Sequence, residues 1–189
     1  MSEEQILANI ENAKEVLNDE HIKPVWTIGD SLNIDVIAKD YKADIIFSCP
    51  PYADLEKYSD DERDLSNMDY SNFILTYKDI IYKSCQLLKE NRFAVFVVGD
   101  VRDKNGFYYN FVSDTIQSFL NAGLNLYNEI ILVNTIGSLA IRAGRNMVTR
   151  KVGKQHQNVL VFYKGDPKII KENYPIIDVS YLDDIIENE

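Results

Sequence analysis

Apolar positions along the chain alternate between a helical period and short continuous runs. Ile6, Ile10, Ala13 and Leu17 recur at helical spacing, and Ser2 ahead of Glu3, Glu4 and Gln5 supplies an N-cap with a capping-box partner, which predicts a helix over 2–18. Phe73, Ile80, Ile81, Cys85 and Leu88 define one face of a second helix over 72–90. Between and after them come strand-like runs at 24–28, 43–48, 92–98, 126–134 and 158–163. The run Phe93-Ala94-Val95-Phe96-Val97-Val98 is almost wholly apolar, as in a strand buried on both faces of a parallel sheet.

Shorter elements fill the gaps. Residues 32–41 predict a short helix, Asn105-Gly106 a turn, and 107–121 a helix closed by Gly123. No helix-length apolar pattern separates the last two strands, so they are compatible with antiparallel neighbours. The repeated order of helix then strand predicts a three-layer α/β architecture around a mostly parallel sheet.

One strand ends unusually. Asp44-Ile45-Ile46-Phe47 runs into Ser48-Cys49-Pro50-Pro51-Tyr52. Two consecutive prolines donate no ladder hydrogen bond and each fixes φ, so the sheet must stop there. By itself a Pro-Pro pair need only end a strand, with the aromatic ring packing beside it. At the carboxyl edge of an open α/β sheet, however, such a turn lies where ligands bind.

With 189 residues and 46% hydrophobic content the chain suits one domain with a substantial core. Its two cysteines, Cys49 and Cys85, make no disulfide framework and lack the close Cys/His spacing of a zinc site, so no metal is expected. A reducing cytoplasm is the natural setting. No apolar run has the length of a membrane helix, and the N-terminus is acidic rather than signal-like.

The net charge of −10 argues against indiscriminate nucleic-acid binding. Its distribution modifies that conclusion. Between Thr135 and Gln157 there is no Asp or Glu, while Arg142, Arg145, Arg150, Lys151 and Lys154 fall close together. With Gly137, Gly144 and Gly153, this island reads as a flexible basic loop able to meet phosphates or guanine edges. Residues 53–70 are rich in acids, which suits a solvated loop or a lid over substrate. His21 and His156 read as polar loop residues.

The combination of apolar strand, Ser48-Cys49-Pro50-Pro51-Tyr52 and acidic loop resembles the amino-group DNA methyltransferases, and within them the phage and prophage branch. The resemblance extends from Ser2 to about Pro167. It implies the S-adenosylmethionine-dependent methyltransferase fold with a reversed strand near the end, and methyl transfer to the exocyclic amine of adenine or cytosine in double-stranded DNA. It divides the chain into a partial catalytic domain at 1–167, with a DNA-facing loop at 135–157, and an acidic tail at 168–189.

The same resemblance assigns roles by position. Cys49 and the Pro50 carbonyl would accept the amine hydrogens, with Ser48 assisting because a thiol is a weak acceptor. Pro51 would hold the turn, and Tyr52 would stack on a base flipped from the duplex. Asp30, followed by Ser31, would meet the adenine of the cofactor. A C5-cytosine mechanism with Cys49 as nucleophile fits poorly, because that family places its cysteine after a proline.

One family feature is missing. The family's glycine-rich turn after a first strand, and the acid ending a second, have no counterpart here, and those strands would lie between the strands of Trp26 and Ile45. The expected explanations are a second chain supplying that segment, a sheet closed within or between copies, or a fragment of a longer protein. Two other functions stay open: a noncatalytic DNA- or partner-binding protein derived from such an enzyme, and an RNA methyltransferase.

Overall fold

A computed structural model describes residues 3–16, 24–52, 57–134 and 139–178. Its elements are α1 (Glu3–Val16), α2 (Ile34–Ile37), β1 (Ala43–Ser48), α3 (Tyr70–Leu87), β2 (Leu88–Val98), α4 (Phe111–Asn121), β3 (Asn125–Val133), α5 (Leu139–Val148), β4 (His156–Lys164) and α6 (Ile170–Asn173). Short 3-10 turns precede α2, α3 and α6. The N-cap expected at Ser2 and the end of the acidic tail from 179 onward lie outside the described residues.

The four strands form one sheet in the order β1-β2-β4-β3. β1 pairs parallel with β2, whereas β4 is antiparallel to both β2 and β3. Three strands therefore run one way and β4 alone runs against them, which is the mostly parallel sheet with a late reversed strand. The last two strands are antiparallel neighbours as expected.

Side-chain alternation sorts the sheet into two faces. Ala94, Phe96 and Val98 of β2 and Leu160 and Phe162 of β4 lie under Phe73, Tyr77, Ile81 and Cys85 of α3 and Phe111 and Phe119 of α4, forming the core. Phe119 stacks on Phe162 with ring centroids 4.0 Å apart, and Phe111 meets Phe73 and Tyr77 at 5.4 and 5.3 Å. α3 starts at Asp69, whose carboxylate accepts from the N–H groups of Ser71 and Asn72. Gly123, at φ +89, ends α4 in the left-handed conformation the sequence pattern called for.

The opposite face is different. Ile45 and Phe47 of β1 are 57% and 67% exposed, and Ile130 of β3 is exposed beside half-buried Val159, which in turn pairs with Val97. Further along the same face Tyr163 is buried beside Phe93 and Tyr127, and Tyr174, directly after α6, lies 5.3 Å from Phe93, so the covering here is uneven: closed near α6 and open around Ile45 and Phe47. The two long helices α3 and α4 share the core face of the sheet.

Other expectations shift for local reasons. Residues 24–28 form no strand, since among the described residues none pairs with them in a ladder, and Val25 and Ile28 stay exposed. α3 gives way directly to β2 at Leu88, four residues early, through a bulge containing Asn91 at φ +60. Residues 107–110 belong to a hairpin rather than to α4. The basic island is largely ordered: α5 occupies 139–148 and includes Gly144, and β4 already begins at His156. Its expected Gly137 lies outside the described residues. No described helix is long and apolar enough to cross a membrane.

Candidate active site

Strand direction assembles the site. β1 and β2 run parallel, with Ser48 opposite Phe96, so Cys49-Pro50-Pro51-Tyr52 and Gly99-Asp100 emerge at the same sheet edge. β4 runs the other way, and Asn158 pairs with Val98, so its first residues arrive at that edge too. Three chain segments far apart in sequence meet there.

Within the turn, Cys49 is exposed, Pro50 buried, and Pro51 and Tyr52 half-buried. The Tyr52 ring leans on Phe111 with centroids 5.9 Å apart at 59°. Its hydroxyl donates to the Val97 carbonyl at 3.4 Å and accepts from Gln157 Nε2 at 3.0 Å, while Cys49 Sγ lies 3.9 Å away. Burial, reinforced by the nearby Cys49 thiol, raises the phenol pKa and keeps it neutral. Gln157 was not legible as a site residue: nothing marks it in the sequence beyond its place at the end of the acid-free island.

Gly99 sits between Tyr52 and the basic segment. A Cβ there would lie 3.6 Å from Tyr52 Cε2 and 3.7 Å from Lys154 Nζ. Lys154 is thereby the member of the basic island brought nearest to the turn. Lys151 reaches the tip at Gly106 instead, and Arg142 and Arg145 project from α5. Arg150 has a local task, since its Nη1 donates to the carbonyls of Met147 and Val148 at the end of α5.

Asp30 and Ser31 stand on a separate turn. One Asp30 oxygen accepts from the Leu32 N–H at 2.9 Å, and Lys83 of α3 pins the turn by donating to the Leu32 carbonyl at 2.6 Å. The acidic segment after Tyr52 is described from Lys57 onward and is knitted by its own polar groups. Ser66, buried, accepts from the Tyr58 N–H, and Asp64 accepts from the Ser66 N–H and from both the Ser59 and Ser66 hydroxyls. Arg63 pairs with Asp61 and holds that carboxyl down to about 2. Tyr70 stacks on Tyr109 at 4.1 Å and donates to Asp114 at 2.7 Å, fastening this segment to the 101–109 hairpin and to α4.

A family model described as DNA methylase, for N6 and N4 amino methylation, matches residues 43–188. The chain belongs to this family. Solved structures agree on the fold. A DNA modification methylase of Thermus thermophilus, in complex with S-adenosyl-L-methionine, is 18% identical with a TM-score of 0.51, covering 80% of this chain and 57% of that one. The cytosine-N4-specific PvuII DNA methyltransferase is 16% identical with a TM-score of 0.51, covering 84% of this chain and 60% of that one. The chain thus spans little more than half the length of these methylases. A search of curated proteins found no match.

Proposed function

We propose that this chain carries the catalytic turn of an S-adenosylmethionine-dependent DNA methyltransferase that modifies the exocyclic amine of adenine or cytosine. The observation that carries this reading is Ser48-Cys49-Pro50-Pro51-Tyr52 at the carboxyl edge of β1 in a chain of the DNA methylase family. The setting is a reducing cytoplasm.

Methylation of an aromatic amine needs no enzyme nucleophile, since the base nitrogen attacks a methyl group directly. It does need acceptors on the two amine hydrogens, which draw the nitrogen towards tetrahedral geometry and free its lone pair. Ser48, Cys49 and the Pro50 carbonyl supply these at the strand end. Pro51 fixes the turn, and Tyr52 offers its ring to the extruded base while Gln157 and Val97 hold its hydroxyl.

S-adenosylmethionine supplies an electrophilic sulfonium methyl. The described residues fit its adenine end: Asp30 Oδ1 is engaged by Leu32, and Oδ2 can accept from the adenine amine. Ser31 follows in the same turn. The described residues contain no glycine-rich turn to cradle the rest; a second chain carrying one, or a further copy of this chain, is the proposed source of that part of the site.

The basic segment, with Arg142, Arg145, Arg150, Lys151 and Lys154, is assigned to double-stranded DNA. A second reading, a noncatalytic protein that binds DNA or a partner, is favoured by the uncovered apolar face around Ile45 and Phe47.

Calorimetric titration with S-adenosylmethionine, followed by transfer of labelled methyl groups to duplex DNA and to structured RNA, separates the readings. Saturable binding lost in Asp30→Ala and transfer to DNA lost in Tyr52→Ala support the enzyme. DNA binding without cofactor binding, even in the presence of a partner chain carrying a glycine-rich turn, supports the noncatalytic reading, and preference for RNA would replace DNA as substrate.

A further inference from the structure

Residues 101–109 form a small hairpin beside the catalytic turn. The Asp103 N–H donates to the Phe107 carbonyl at 2.8 Å and the Tyr109 N–H to the Val101 carbonyl at 3.1 Å. Gly106, at φ +90, makes the tight tip. Arg102 and Tyr108 pair across this hairpin, so their side chains project from the same face. The Arg102 guanidinium lies 3.9 Å over the Tyr108 ring, and its Nη1 is tied to the Gly106 carbonyl at 2.7 Å. The result is a fixed, flat, cationic and aromatic platform in which Tyr108 remains 42% exposed.

That platform lines an open pocket of about 510 Å³, together with Lys154, His156 and Asp100. Lys154 is the residue that also flanks Gly99 beside Tyr52, so the pocket adjoins the catalytic turn. Asp100 is the one carboxylate in the lining, and its Oδ1 is committed to the Val112 N–H at 3.0 Å. Arg102 and Lys154 leave the pocket with a positive balance. A flat surface for stacking next to an ammonium group matches a nucleotide, whose base is planar and whose phosphate is anionic.

We propose that this pocket holds a nucleotide neighbouring the target base, its base stacked on the Arg102–Tyr108 pair and its phosphate beside Lys154. The inference rests on the DNA methyltransferase reading and adds to it a second base-binding position separate from Tyr52. Holding the neighbour would keep the strand splayed once the target base has left the stack.

Photocrosslinking tests it without knowledge of a recognition sequence. A random duplex pool with thymine replaced by 5-iodouracil is irradiated on the full chain, and crosslinked peptides are mapped by mass spectrometry. A crosslink at Tyr108 is expected, lost in Tyr108→Leu, kept in Tyr52→Phe, and accompanied by roughly tenfold weaker DNA binding in Tyr108→Leu and Arg102→Ala. Circular dichroism checks that the variants are folded. Should the chain retain DNA with Tyr108 unlabelled, and should Tyr108→Leu and Arg102→Ala bind as tightly as the parent, the pocket assignment falls while the methyltransferase reading stands. Failure of the parent to retain any DNA overturns both.

Discussion

Gln157 Nε2 donates to the Tyr52 hydroxyl at 3.0 Å, joining residues 105 positions apart at one sheet edge. The contact exists because β4 runs against β1 and β2, so that its first residues arrive where theirs leave. It couples the segment assigned to DNA with the residue assigned to the target base.

This coupling is measurable as stability. Gln157→Leu and Tyr52→Phe each remove the hydrogen bond, so the double variant should lose less than the sum of the two. A coupling of about 0.5–1.5 kcal/mol is expected from urea denaturation of the four proteins. Strict additivity would mean that Gln157 does not hold the ring.

The two faces of the sheet should respond oppositely to truncation. Phe162 is fully buried against Phe119, and Phe162→Ala should cost about 3–5 kcal/mol, a large part of a domain's stability. Phe47, on the open part of the other face, should change stability by no more than about 0.5 kcal/mol when replaced by Ala. Denaturation midpoints check both, and a costly Phe47→Ala would show that this face is covered in solution.

The cysteines should also behave differently. Cys49 is exposed whereas Cys85 is fully buried in the core, and burial pushes the Cys85 thiol up to about 12 from its ordinary 9.0. A disulfide reagent should therefore label one thiol in the native protein and two in denaturant. The unfolded chain releases the Cys85 proton sooner than the folded one, so between 9.0 and about 12 it holds fewer protons, and stability falls as pH rises through that window. Cys85→Ala should flatten this decline, as urea midpoints at about pH 8 and about pH 10.5 would show.

Much of this arrangement was written locally in the sequence, and the remainder depends on partners distant along the chain. The apolar run Phe93–Val98 is a strand and Phe73, Ile81 and Cys85 line a helix, because period and burial agree there. Residues 24–28 have the same local pattern but gain no ladder, since a strand is completed by its neighbour and not by its own side chains. α5 was hidden by its composition: Arg142, Gly144 and Arg145 interrupt the apolar pattern, and Ile141 and Val148 remain exposed. Within the site, the Pro-Pro turn is local and was legible. Gln157 and the Arg102–Tyr108 platform arise from strand direction and hairpin pairing, which no residue spacing announces.

The ordering of the basic segment divides its cations by function. Arg142 and Arg145 project from α5, whereas Arg150 is held by the carbonyls of Met147 and Val148. Each phosphate contact contributes about 0.9 to the slope of log affinity against log salt. Replacing Arg142 and Arg145 together by Ala should therefore lower the slope by up to about 1.8, measured by fluorescence anisotropy on a fixed duplex. Arg150→Ala should loosen the end of α5 and speed amide exchange at Thr149 and Lys151, whose N–H groups close that end by bonding back to Arg145 and Asn146. An unchanged salt slope in the Arg142/Arg145 variant would remove α5 from the DNA interface and leave Lys154, beside Gly99 and Tyr52, as the cation best placed to meet the strand.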